Sequence, residues 1–73
     1  MRDKIIDALK AKYEAEIKVA KATIQIYLDT PLGIGDHPQF ADEINKQLEI
    51  ISCACDKIKV IDKFYPNEDD IPF

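Results

Sequence analysis

The chain has 73 residues, with 47% hydrophobic and 33% charged residues, two cysteines and a formal net charge of −4. So short a chain is expected to be one domain, and it buries a smaller share of its surface than a larger domain would, so an additional source of stability is expected from disulfides, a metal or self-association. The acidic balance argues against a dedicated nucleic-acid binder, and no stretch approaches the roughly 18 uninterrupted apolar residues of a membrane span.

The first predicted element runs over residues 2–29. Ile6, Leu9, Tyr13, Ile17, Ala20, Ile24 and Tyr27 recur at steps of three and four, a helical period. No glycine or proline interrupts them, and Lys, Glu, Ala and Leu fill much of the remainder. The opposite arc carries Asp3, Asp7, Lys10, Glu14, Lys18, Lys21 and Gln25. Pro31 disfavours helical geometry at Thr30 and ends the segment.

Then comes the single turn, TPLGIGDHPQF, which holds both glycines, two of the four prolines and the only histidine. Two readings compete for it. In the first it is a bend: Gly33 and Gly35 supply left-handed backbone, Asp36 caps the following helix, with Gln39 three residues on, and Pro38 falls in the first turn. In the second it is a site, in which Gly33, Gly35 and His37 present backbone and imidazole donors to a small anion at the helix N-terminus. A glycine-rich stretch with no preceding strand is a weak phosphate signal, and an Asp36 carboxylate would compete for the same donors, so the bend is preferred.

The second predicted helix covers residues 38–65, through Phe40, Ile44, Leu48, Ile51, Cys55, Ile58 and Tyr65, and Pro66 closes it. Residues 67–73 form an acidic tail after the hairpin of residues 1–66. Charge divides unevenly along the chain: residues 1–28 hold six bases and four acids (6 − 4 = +2), and residues 29–73 hold four bases and ten acids (4 − 10 = −6).

Little here points to chemistry. Cys53 and Cys55 are two apart on a helix, so their side chains diverge and cannot bridge; each reads as a small buried hydrophobe. One histidine and two divergent thiols do not make a zinc site, and the acidic residues lack an EF-hand spacing. No cofactor, metal or catalytic set is expected, so the expectation is a non-enzymatic protein. With no apolar signal segment and so few cysteines, the expected compartment is a reducing cytoplasm.

Self-association remains as the source of stability. Each helix carries a second apolar row: Ile5, Val19, Thr23 and Ile26 with Ala8, Ala15 and Ala22 in the first, and Ile50, Cys53, Val60 and Phe64 in the second. A two-helix hairpin covers only one face of each helix, and exposed apolar strips mark interfaces. The expected architecture is therefore an all-α, antiparallel two-helix hairpin that assembles as a dimeric four-helix bundle or a larger helical oligomer, with Val19, Ile26, Ile50, Val60 and Phe64 in the interface. Its expected work is to bind a macromolecule; an oligomer sequestering an anionic metabolite or nucleotide is the alternative.

The run Tyr27-Leu28-Asp29 followed by Pro31-Leu32-Gly33-Ile34-Gly35-Asp36-His37-Pro38 and a charged second helix resembles small uncharacterised helical proteins of T4-like tailed phages, which carry a similar Gly-Ile-Gly-acid-His-Pro hook. The match rests on about ten residues around the loop. The resemblance implies a phage-encoded protein acting in the host cytoplasm on a host or phage partner, and it brings no catalytic residues.

Bend and site are separable by experiment. If the segment is a bend, Asp36→Ala lowers stability by about 0.5 to 2 kcal/mol while His37→Ala leaves the melting temperature nearly unchanged. Saturable NMR shifts of the Gly33, Gly35 and His37 amides on titration with phosphate-bearing ligands, lost in a folded His37→Ala protein, would show the site instead.

Overall fold

The structure, a computed structural model, describes residues 2–30 and 37–66. They form two α-helices of 28 residues each, α1 (Arg2–Asp29) and α2 (His37–Phe64), with no strand among the described residues. The chain is an all-α helical hairpin. Helix α2 begins and ends one residue earlier than its apolar spacing predicts. Pro38 is then its second residue, where a helix needs no N–H. The proposed cap Asp36, the glycines Gly33 and Gly35 and the tail of residues 67–73 lie outside the described residues.

At its C-terminus α1 is closed by Thr30, whose hydroxyl donates to the Ile26 carbonyl and whose amide donates to the Tyr27 carbonyl at 3.3 Å. These bonds occupy carbonyls that a helix end leaves without partners. Before Pro31 the chain cannot easily continue as helix, and a threonine there is well placed to cap it.

Two contacts fix the helices antiparallel. Near the connection the Tyr27 and Phe40 rings meet edge to face, with centroids 5.2 Å apart and planes at 74°. At the open end Lys10 Nζ reaches Asp62 Oδ1 at 2.7 Å. An edge-to-face pair is worth about 0.5 to 1.5 kcal/mol beyond its area, whereas a partly exposed ion pair such as Lys10 with Asp62 contributes about 1 kcal/mol or less. The aromatic pair therefore carries more of the register, and the ion pair aligns the far end.

Between those pins the helices touch along a narrow seam. On α1 the seam follows Ile6, Lys10, Tyr13, Ile17, Ala20, Ile24 and Tyr27; on α2 it follows Phe40, Ile44, Gln47, Ile51, Ala54, Ile58 and Ile61. Both rows alternate steps of four and three, the period that keeps one line of side chains facing a partner helix. Among the described residues only Ala20, Ala54 and Ile61 are buried, Ala20 to 1% and Ala54 to 2% exposure; the other seam residues are half-buried. Ala20 and Gln47 line one groove from opposite helices, a small residue beside a long one.

The seam corrects part of the row expected from apolar spacing. Leu9, Leu48 and Tyr65 are exposed, and Lys10, Gln47, Ala54 and Ile61 take the inward positions. At 3.6 residues per turn, the two successive steps of four from Phe40 to Leu48 carry a row about 80° round the helix, whereas a four and a three from Phe40 to Gln47 leave it about 20° from its start. Helix geometry outranks side-chain polarity here, and the long Lys10 and Gln47 side chains lay their methylenes in the seam.

Because Ala20 and Ala54 set how closely the helices approach, Ala20→Leu or Ala54→Leu overpacks the seam. Each substitution is expected to lower stability by about 1 to 3 kcal/mol in circular dichroism melts. An unchanged melting temperature in both would show that the helices do not meet at these residues.

Candidate interaction surface

A seam this narrow leaves much of each helix uncovered. Ile5, Leu9, Val19 and Ile26 on α1 and Ile50, Val60 and Phe64 on α2 are all exposed, Val19 and Ile26 to 66% and Phe64 to 61%. Relative to the seam these residues fall on the same flank of the hairpin. On α1 they occupy the positions immediately before the seam residues Ile6, Lys10, Ala20 and Tyr27, and on α2 the positions just before Ile51 and Ile61 and three after Ile61.

Grooves along the interhelical cleft confirm that this flank is shared by both helices. One groove has Ala15 and Val19 on one wall and Ile50 on the other. A second, lined by Glu16, Ile50 and Cys53, continues from it and shares Glu16 and Ile50. A third places Leu9 opposite Val60 and shares Lys57 with the second. The three run end to end along one face, which both helices build.

The face is apolar in patches and charged between them. Lys12 and Lys57, from opposite helices, bracket the Tyr13 ring with their ammonium groups 6.0 and 5.1 Å from its centroid, within cation–π range. Toward the connection, a groove is lined by acids and bases together, Glu16 and Glu49 with Lys46 and Lys57. Further on, Lys46 binds Glu43 at 3.1 Å. The hydrogen bond to Glu43, reinforced by that carboxylate's charge, raises the Lys46 pKa above its ordinary value. Among the described residues Lys12, Lys57 and Glu16 form no ion pair. Thr23 turns its hydroxyl inward to the Val19 carbonyl at 2.9 Å, so it needs no outside partner.

All five residues expected in an interface, Val19, Ile26, Ile50, Val60 and Phe64, are exposed on one flank; Val19, Ile50 and Val60 line its grooves, whereas Ile26 lies toward the connection and Phe64 at the open end, outside them. Spacing by apolar residues alone missed the meeting of Lys12 and Lys57 at the Tyr13 ring; counting positions from the seam would have found it. Cys53 is exposed and Cys55 half-buried, so neither is the buried hydrophobe expected of it. The cysteines take flank positions beside Ala54, the residue that occupies the seam in their place.

The loop candidates are placed less fully. His37 is the first residue of α2, while Gly33 and Gly35 lie outside the described residues. Among the described residues no three His, Cys, Asp or Glu side chains converge as a metal site would require, and no helix is long and apolar enough to cross a membrane. No protein-family model, curated protein or solved structure matches the chain.

Proposed function

We propose that the protein is a non-enzymatic, self-associating helical hairpin that works by binding other macromolecules. One observation carries this reading: a largely apolar face built by both helices, on a hairpin that among its described residues buries only Ala20, Ala54 and Ile61. Val, Leu, Ile and Phe side chains gain about 1.5 to 3 kcal/mol each when fully buried. Ile5, Val19, Ile26, Ile50, Val60 and Phe64 together therefore represent a driving force comparable with the 4 to 15 kcal/mol or so that association costs in lost freedom.

The natural form of such an assembly is a four-helix bundle of two hairpins. Leu28 and Leu48, exposed on the opposite flank, stay available to a further protein once the larger face is covered. The hook of residues 33–38 and its resemblance to phage proteins support a phage-encoded component that meets its host or phage partner in the cytoplasm.

Sedimentation equilibrium tests the reading. The unmodified chain is expected to be a dimer or larger at micromolar concentration, and Val60→Asp or Ile26→Asp is expected to dissociate or unfold it. A well-folded monomer at those concentrations would contradict the proposal.

A further inference from the structure

Helix α2 ends at the mouth of the groove between Leu9 and Val60, because Tyr65 lines that groove and Pro66 follows it. Seven residues come after, Asn67-Glu68-Asp69-Asp70-Ile71-Pro72-Phe73. We propose that this segment turns back along the apolar face of its own chain, from Val60 to the near end of the groove between Val19 and Ile50, and there competes with the partner that the face binds. The competition rests on the self-association reading above; the docking of the segment does not.

The segment is long enough. At about 1.5 Å per helical residue, Lys57 and Cys53 lie roughly 14 and 20 Å back along α2 from Pro66. An extended chain advances about 3.3 Å per residue, so Phe73 reaches about 23 Å from the same point. That leaves a few ångströms for the reversal, which starts at the proline that ends the helix.

The order of its residues matches the order of the face. Glu68, Asp69 and Asp70 reach about 7 to 13 Å from Pro66, up to the level of Lys57. Here the Lys12 and Lys57 ammonium groups stand 6.0 and 5.1 Å from the centroid of the Tyr13 ring. Asp56 lines the same groove, so two ammonium groups face one carboxylate and the level keeps a positive charge for the acids of the segment to meet. Among the described residues neither lysine has an ion-pair partner. Glu16 and Glu49 line the next groove, with Lys46 as well as Lys57, and the part of the segment that arrives there carries no acidic side chain.

That part is Ile71-Pro72-Phe73. Residues two apart lie on the same side of an extended chain, so Ile71 and Phe73 share one side. They arrive about 17 to 23 Å from Pro66, beside Cys53 and the groove that Ala15 and Val19 form with Ile50. The acids thus meet the bases and the apolar end meets apolar walls. A second hairpin that takes the whole face has to displace the segment.

NMR on the full chain tests the docking. Nuclear Overhauser contacts from the Ile71 and Phe73 side chains to methyl groups of Ala15, Val19 and Ile50 are expected in a labelled sample, and are expected to be missing from the filtered spectrum of a mixed sample, which records contacts between chains only. Absence of these contacts, or their presence only between chains, would overturn the proposal. Lys57→Glu sets a carboxylate against the acids of the segment and should remove the contacts at low salt; contacts of full intensity in that variant would overturn the charge matching. Ile71→Ser combined with Phe73→Ser leaves the hairpin untouched and should tighten self-association by roughly tenfold, the equivalent of about 1.4 kcal/mol. Unchanged or weaker association would overturn the competition. A monomeric protein that shows the contacts within its chain would contradict self-association and leave the docked segment standing.

Discussion

A straight seam between two antiparallel helices is the constraint on which the rest of this structure depends. A row in steps of four and three keeps one line of side chains facing its partner and no more. Each helix therefore commits seven positions to the seam, and the apolar residues outside them have nowhere to go within one hairpin. The edge-to-face contact of Tyr27 with Phe40 at one end and the Lys10 to Asp62 pair at the other hold that seam in register. Ala20 and Ala54, the most buried residues, keep it tight but contribute little apolar area of their own.

The flanks consequently acquire different characters. One flank gathers Ile5, Leu9, Val19 and Ile26 with Ile50, Val60 and Phe64. The other carries Asp7, Glu14 and Lys21 on α1 and Asp62 on α2, with Leu28 and Leu48 toward the connection. In the proposed assembly a hairpin with one apolar and one charged flank is half of a bundle, and its stability and its binding surface are the same set of side chains. There the apolar patches supply the affinity.

Much of this was legible in the sequence. The helix boundaries came within a residue because Pro31 and Pro66 are strong stops and no glycine or proline breaks the apolar period before them. The five face residues were legible because they form a second row that one neighbour cannot cover. The seam of α2 was less so. Leu48 competed with Gln47, and Cys55 and Tyr65 with Ala54 and Ile61, and choosing the larger or more apolar side chain displaced the row round the helix. Alanine gives a weak hydrophobic signal yet is favoured where two helices come closest, and a lysine or glutamine enters a seam by its methylenes; neither tendency is visible until the partner's position is known. The meeting of Lys12 and Lys57 had the same difficulty, because the two are distant in sequence and come together only across Tyr13.

The central claim is that the hairpin and its association are one equilibrium. Thermal unfolding followed by circular dichroism over a hundredfold range of protein concentration tests it most directly, since a folded state that requires a partner is stabilised by mass action. A melting temperature that rises steadily with concentration is the predicted result. A cooperative melt at the same temperature throughout, from a protein of monomer mass, would contradict it.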